Sequence, residues 1–435
     1  MLKEKWEERF FLVFIFIILL LWMFIVPYNQ GPDEFARYKI PIYLAKHGKL
    51  PFGGDPEVRI NNWGFSYAFQ PILGYFLPAI LMRMGIFFNT PNNLIYLWAR
   101  FASVIYSVVT VFLSIRIGDH LFNKRCKWFF VILVSFLPMF QFVSCYVNLD
   151  AFAIMCVTWV IYQLIIGKEN LWGIKSCILL GLSLGITALS YFNSYGIIIC
   201  AIIYCVYDVI TNKEIDNKIQ FLLQKALIVA GVAFLVSGWW FIRNAIIYNG
   251  DFLGLKTSNM YAEKYARADL LPNKRGIINS DNPTLGYMLF EKGWIRSVLY
   301  SFVGTFSYMT LPMEHAVSWL FFLIPILSMG NYIFRTKKKS FNMFYFLMFI
   351  MCVITIALNM YYSFFSDFQP QGRYCMPMLI PLMLLITKGF ESSTRGVDQG
   401  SLVKHLSYLV VILSIYTLYF VIYGHYINPE FVNGF

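Results

Sequence analysis

Residues 71–88 read PILGYFLPAILMRMGIFF, and whether they cross a membrane decides the topology of the whole chain. The run is nearly as long as a spanning helix requires, ~20 apolar residues, but it carries Pro71, Pro78 and an internal Arg83. Eleven other apolar runs are better candidates: roughly 10–27, 94–118, 128–147, 149–167, 172–190, 194–211, 222–246, 315–334, 341–362, 373–390 and 404–424. Suppose that 71–88 stays on one side. The short loops bearing Lys3, Lys5 and Arg9, then Lys124, Arg125 and Lys127, then Lys168 and Lys175, then Lys213, Lys218 and Lys225, then Arg335, Lys337, Lys338 and Lys339, and finally Arg395 and Lys404 then share a side. Lys and Arg concentrate in cytoplasmic loops, so that side is the cytoplasm. If 71–88 crosses, the first basic loop lands opposite the next and the pattern fails in every later loop.

We therefore expect 71–88 to be a membrane-surface or re-entrant segment inside a long first external loop. The N-terminus is then cytoplasmic and the C-terminus outside. Two long loops, 28–93 and 247–314, face the exterior of one integral membrane domain covering 1–435, and chemistry outside the membrane belongs on that face. The first span lacks a small-residue cleavage pattern, which argues against a signal peptide.

Composition agrees with this class. The 435 residues are 59% hydrophobic and 13% charged, whereas a water-facing surface needs about a quarter of residues charged. Disorder, a disulfide scaffold and an ordinary soluble enzyme are excluded. The net charge of +12 would suggest nucleic acid on a soluble domain, but cytoplasmic loops beside anionic lipid explain it here, and no nucleic-acid partner is expected. Eight cysteines, without a CxxC or Cys/His spacing, read as small core hydrophobes rather than metal ligands. No GxxxxGK[ST] loop occurs, which removes ATP-driven transport, and without a soluble nucleotide-binding domain a cytosolic nucleotide-sugar donor is disfavoured.

Polar residues concentrate at the outer ends of the spans: GPDEFARY (31–38), VNLDAF (147–152), YFNSYG (191–196), GWWFIRNAIIYNGDFLG (238–254), SFVGTFSYMTLPMEH (301–315) and DFQPQGRYCMP (367–377). Pro32, Asp33 and Glu34 suit the first turn of a helix. Capping alone needs one acid, so the adjacent pair at a membrane boundary points to a base or a cation site. An ionised carboxylate there is able to take the proton of a hydroxyl nucleophile. Asp150, two residues after Asn148, reads equally well as a helix cap and as a second substrate-facing acid. Arg373 sits at the N-terminal end of a span, where the helix dipole disfavours a cation. Pairing with an anion such as phosphate explains it, as does pairing with Asp367. Arg243 lies at a helix C-terminus beside Trp239 and Trp240, where snorkelling at the interface suffices. Lys256, Lys264, Arg267, Lys274 and Arg275 form a basic stretch that reads first as a solvated face.

These residues resemble the GT-C superfamily of polytopic glycosyltransferases, whose donors are polyprenyl-phosphate-linked sugars. GPDEFARY looks like that superfamily's acidic motif after the first span. More narrowly, PDE at 32–34, LPMF with VNLD over 137–150, WWFIRNAIIYNGDFLG at 239–254, SFVGTFSY at 301–308 and QGRYCMP at 371–377 are similar, in order, to the bacterial DUF2142 family of predicted integral membrane proteins. The resemblance implies an all-α, GT-C-like polytopic fold with about eleven transmembrane helices and juxtamembrane or re-entrant helices in the first external loop. It implies Asp33 and Glu34 as catalytic acids, Arg373 and Arg243 as contacts of the donor phosphate, and Arg37, Asn148, Asp150 and Tyr374 as substrate-positioning residues. Arg37 stands where related motifs often have His, which puts in doubt a metal site built on that His. Enzymes of the superfamily with monophosphate-linked donors generally need no metal, so none is assigned, and dependence on a divalent cation stays open.

The expected activity is transfer of a sugar from a polyprenyl-phosphate donor to a cell-envelope glycan or lipid-linked acceptor, on the outer face of a bacterial cell membrane, with inversion as the simplest outcome. The alternatives are a polymerase or ligase of lipid-linked oligosaccharides, a lipid-linked glycan transporter or flippase, and a non-catalytic scaffold. A carrier should place ionisable groups at mid-span, whereas the spans here are nearly free of acids in their centres.

Overall fold

The computed structural model describes residues 2–335, 341–391 and 399–428; Lys337, Lys338, Lys339 and Arg395 of the basic loops lie outside them. The chain runs through α1 (Leu2–Ile25), α2 (Glu34–His47), α3 (Phe76–Phe87), α4 (Ile95–Leu121), α5 (Lys124–Ser135), α6 (Pro138–Val143), α7 (Asp150–Glu169), α8 (Ile174–Ala188) and α9 (Gly196–Thr211). It continues with α10 (Lys218–Ile247), α11 (Leu255–Tyr265), α12 (Trp294–Gly304), α13 (His315–Arg335), α14 (Met343–Phe365), α15 (Leu379–Glu391), α16 (Gln399–Tyr416) and α17 (Gly424–Tyr426). A short antiparallel ladder joins β1 (Thr305–Phe306) to β2 (Leu311–Pro312), with Phe306 opposite Leu311.

Among the described residues, nine helical stretches are long and apolar enough to cross a membrane. Two of the expected spans are not among them. The run 128–147 is broken, because a proline disfavours helical backbone in the residue before it and Leu137, ahead of Pro138, is extended. The run 172–190 forms α8, whose 15 residues reach about 22 Å at 1.5 Å per residue, short of a ~30 Å hydrocarbon core. The doubtful run 71–88 becomes a 3₁₀ turn and the 12-residue α3, about 18 Å long. It lies on α2 and α4 and turns Ile80, Met84 and Phe87 outward.

Charge sorts the two ends of the bundle. At one end, Glu8 of α1 pairs with Arg116 of α4 and with Lys127 of α5 (2.6 Å), and Asp119 pairs with Arg116 (2.9 Å) and Lys127. Lys124 reaches Glu7 (3.0 Å) and His120 reaches Glu169 (2.9 Å) at the same end. At the other end, Arg100 of α4 donates to the terminal carbonyls of α1 and its exit, Met23 (3.1 Å), Val26 (2.6 Å) and Pro27 (2.8 Å). That second end carries the long loops. The first of them folds over the bundle on its own apolar cluster, which includes Ile40, Tyr43, Ile72, Tyr75 and Met82 with Trp240 of α10. The main core is aromatic: Trp22, Phe140, Phe142 and Phe306 are all buried, and the indole of Trp22 donates to Gln141 (2.9 Å). α10 lies along α8 and buries only Ser237, Gly238, Trp240 and Asn244, while Leu223, Leu227, Leu235 and Ile246 face outward.

Candidate active site

The acidic motif begins at a glycine with no room for a side chain. A Cβ on Gly31 would stand 2.3 Å from the ring of Tyr146. Asp33 follows in the left-handed region, φ 62°, a conformation Asp tolerates better than most residues. It precedes α2 without capping it by its side chain; Asn29 does that instead, accepting from the Phe35 N–H (3.2 Å). The Asp33 carboxylate is left free to turn toward Arg373, which donates from Nη2 to Oδ2 at 2.6 Å. Its side chain keeps 36% exposure while that of Arg373 keeps 4%, so the acid lies at the mouth of the site and the base inside it. Burial pushes the Asp33 carboxyl up, but the guanidiniums of Arg373 and Arg37 outweigh that and hold it below its ordinary value.

Arg37, one turn into α2, is buried, bonds Tyr75 Oη (3.2 Å) and lies over the rings of Tyr67 (4.2 Å) and Tyr191 (5.7 Å). Asp150 opens α7 with 1% side-chain exposure, and Oδ2 stands 3.8 Å from Arg373 Nη1. Neither of its oxygens has a hydrogen-bond partner among the described residues, nor do Arg373 Nη1, Arg37 Nε and Tyr146 Oη. Buried polar atoms are nearly always paired. A group of orphans of both signs behind an accessible carboxylate is the polar chemistry that a ligand of mixed charge would satisfy.

The motifs SFVGTFSY and QGRYCMP build this site jointly. Gly372 packs so tightly on α12 that a Cβ would stand 2.1 Å from the Phe302 nitrogen, and its N–H donates to Ser301 Oγ (2.7 Å). Further along the same 301–308 stretch, Ser307 donates to Gln30 (3.0 Å) and Tyr308 to Asn29 (2.8 Å). SFVGTFSY therefore braces Arg373 on one side and the loop before Asp33 on the other. Arg373 also donates to Tyr374 Oη (3.0 Å) and from Nε to Gln371 (2.6 Å).

The structure brings Asp33, Arg37, Asp150, Arg373 and Tyr374 together. It places Glu34, Asn148 and Arg243 elsewhere. Glu34 has no exposure and meets Arg100 through both oxygens (2.7 and 2.8 Å), with further donors from the N–H groups of Asn29 (2.7 Å) and Val147 (3.2 Å). Asn148 spends its amide on Val143 (2.6 Å), Tyr146 (2.8 Å) and the Ala151 N–H (3.0 Å), tying down the loop that presents Asp150. Arg243 holds Pro51 (2.8 Å) and Asn244 and lies over Trp240 (5.1 Å), linking α10 to the first long loop. In the basic stretch Arg267 pairs with Asp269 (2.5 and 2.7 Å) and Arg275 lies over Trp63 (4.6 Å). Tyr75, Tyr146 and Arg100 escaped the sequence reading, although an arginine inside an apolar run is itself a signal. No group of three or more His, Cys, Asp or Glu able to hold a metal ion occurs among the described residues.

The model of the predicted membrane protein family DUF2142 matches residues 57–383. The chain belongs to the DUF2142 family. The matched stretch of this DUF2142 chain contains Asp150 and Arg373 and begins after Asp33 and Arg37. Comparison with curated proteins finds no match. Among solved structures it is similar to ArnT from Cupriavidus metallidurans bound to undecaprenyl phosphate, with a TM-score of 0.55 and 12% identity, over 97% of this chain and 73% of that one. It is also similar to the oligosaccharyltransferase of Archaeoglobus fulgidus tethered to an acceptor peptide containing the NVT sequon, with a TM-score of 0.55 and 12% identity, over 95% of this chain and 56% of that one. The chain thus spans little more than half of the oligosaccharyltransferase. Both are GT-C glycosyltransferases, and the likeness is one of fold. This DUF2142 chain is an integral membrane protein with a GT-C-like helical architecture.

Proposed function

We propose that this protein is a GT-C-type glycosyltransferase moving a sugar from a polyprenyl-phosphate donor to a cell-envelope glycan or lipid-linked acceptor on the extracytoplasmic face. The observation that carries the reading is the Asp33–Arg373 pair, an accessible carboxylate held at 2.6 Å by a buried guanidinium that still has an unpartnered Nη1. The acceptor hydroxyl gives its proton to Asp33 while its oxygen bonds to the anomeric carbon. The bond from that carbon to the phosphate oxygen breaks, and its electrons stay on the phosphate. Arg373 and Arg37 stabilise the charge that grows there. A single displacement of this kind inverts the anomeric centre.

The pairing also times the chemistry. In the free protein Arg373 keeps Asp33 ionised and weakly basic. A donor phosphate competes for the same guanidinium, and when it wins, Asp33 loses the charge that depressed its carboxyl and becomes the stronger base. Asp150, with two acceptor oxygens and no hydrogen-bond partner among the described residues, suits sugar hydroxyls, as does Tyr146 Oη. In this reading Glu34, Asn148 and Arg243 hold the scaffold, and Arg37 rather than Arg243 supplies the second charge near the phosphate.

A panel of polyprenyl-phosphate sugars offered to the purified protein tests the reading. Turnover of one donor is expected, with about a hundredfold or greater loss in Asp33→Asn, the range for a general base. If no donor is bound or turned over and Asp33→Asn leaves the cellular glycan unchanged, the reading fails. The facing of the site has a separate test. The end holding Lys124 and Lys127 gathers short basic loops and is cytoplasmic on the positive-inside argument. Lys124→Cys is expected to react with impermeant thiol reagents only from the cytoplasm, and Asn61→Cys, in the exposed part of the first long loop, only from outside. The native cysteines are buried, apart from the half-buried Cys205. Labelling of residue 124 from outside would overturn the orientation.

A further inference from the structure

Arg373 is held from behind by residues that the transfer step leaves unused. The stretch 367–373 reads DFQPQGR, and its alternate side chains join in one line. Arg373 Nε donates to Gln371 Oε1 (2.6 Å), Gln371 Nε2 donates to Gln369 Oε1 (2.7 Å), and Gln369 Nε2 donates to Asp367 Oδ2 (3.3 Å). A tight turn, in which the Gln371 N–H donates to the Gln369 carbonyl (2.8 Å), gathers these side chains, and Asn359 and Ser363 of α14 hold the Gln371 and Gln369 carbonyls in place (3.3 and 3.4 Å). Its two ends fix its sense. A guanidinium only donates and an ionised carboxylate only accepts, whereas each glutamine amide is able to point either way. With a donor at one end and an acceptor at the other, both amides must present carbonyl toward Arg373 and N–H toward Asp367.

We propose that Asp367 is a positioning residue for the donor phosphate, acting through Gln369 and Gln371 to fix the plane of the Arg373 guanidinium. The proposal rests on the reading of Arg373 as the phosphate contact. When phosphate displaces Asp33 from Nη2, Nε stays anchored, so the fork does not swing with its new partner. Without the acceptor end, either glutamine is free to flip and present N–H to N–H, and the anchor is lost. Three groups and burial bear on the Asp367 carboxyl. Burial and Asp33 push it up, Arg275 and the Gln369 amide pull it down, and the outcome is about 6; the neighbouring Tyr362 senses the same charge. Protonation below that point weakens the acceptor that sets the relay.

The test is binding of a polyprenyl monophosphate to the full-length protein in detergent, with the matching polyprenol as the phosphate-free control. At pH 7.5 the wild type is expected to prefer the phosphate, Arg373→Ala to lose that preference, and Asp367→Asn, which keeps a neutral acceptor, to lose about five- to tenfold of it, the difference between a hydrogen bond to a charged and to a neutral acceptor. The ratio of wild type to Asp367→Asn should shrink toward one as pH falls through about 6, a change that a merely structural role would not produce and that cancels the titration of the phosphate itself. Adding Gln371→Glu to Asp367→Asn places a carboxylate directly against Nε and should restore affinity, which separates a lost anchor from misfolding. If Arg373→Ala loses the preference while Asp367→Asn keeps it in full at pH 7.5, or if Gln371→Glu restores nothing, the relay is overturned. If the wild type binds phosphate and polyprenol alike, the phosphate assignment of Arg373 falls and the relay falls with it.

Discussion

Arg373→Ala is expected to lower kcat/KM for the sugar donor by about a thousandfold, at the upper end of what one transition-state donor contributes. The size follows from how many groups depend on this side chain. Arg373 is the hydrogen-bonded partner of Asp33 (2.6 Å) and the nearer of two cations to Asp150, which has 1% side-chain exposure. On the proposed mechanism, removing it takes a charge from the departing phosphate, and it leaves the buried Asp150 with Arg37 as its remaining cation. Arg373→Lys should recover only part of the loss, because an ammonium is a point charge without the planar fork that meets Asp33, Gln371 and Tyr374 together. A steady-state assay beside a melting curve decides the matter. Retention of more than about a tenth of wild-type kcat/KM by a folded Arg373→Ala protein would remove Arg373 from the chemistry, since loss of a donor of this kind costs at least ~100-fold.

The second large effect falls on stability and separates two adjacent acids. Arg100→Ala, and less severely Glu34→Gln, should destabilise the protein, with about 3–5 kcal/mol lost when one partner of a buried ion pair is removed and its mate is left charged. Both side chains of this pair have no exposure, and Arg100 also satisfies three carbonyls at the exit of α1. The measurement is the half-life of the purified protein at a fixed elevated temperature, since membrane proteins commonly unfold irreversibly. Asp33→Asn should show the opposite profile, near-native persistence with activity lost. If Arg100→Ala persists like wild type, the pair does not hold the loop. If folded Glu34→Gln is as inactive as Asp33→Asn, Glu34 belongs to the chemistry.

Much of this arrangement could be read from the chain because its signals are local. Apolar length marked the helices and Lys/Arg bias marked one end of the bundle, where Glu8, Lys127 and Asp119 now interlock. Asp33 and Arg373 stood out as charges where a membrane boundary makes charge costly, but nothing in spacing reveals that residues 340 positions apart are bonded. The pairing of Glu34 with Arg100 was out of sight for the same reason. Arg100 was hidden in a run counted as a plain span. The break at Pro138 was visible as a residue and lost as a signal, because the run around it was long enough to cross. Tyr75 and Tyr146 were beyond reach, since an aromatic that lines a site and one that sits at a lipid boundary have the same local sequence.

α1 and α4 are fastened by ions at both extremes. Arg116 and Arg100 are 16 residues apart on α4, about 24 Å at 1.5 Å per residue, and each grips the matching part of α1 or its exit. The two helices therefore have a locked register. A slip of a single residue would break both sets of bonds at once, so the pair moves as one strut. α10 is joined by packing instead: it lies along α8, where a Cβ on Gly181 would stand 2.7 Å from the Val229 carbonyl and one on Gly185 2.8 Å from Val236. The α1–α4 strut is therefore a fixed wall, and the first long loop is set against it through Glu34 and Arg100.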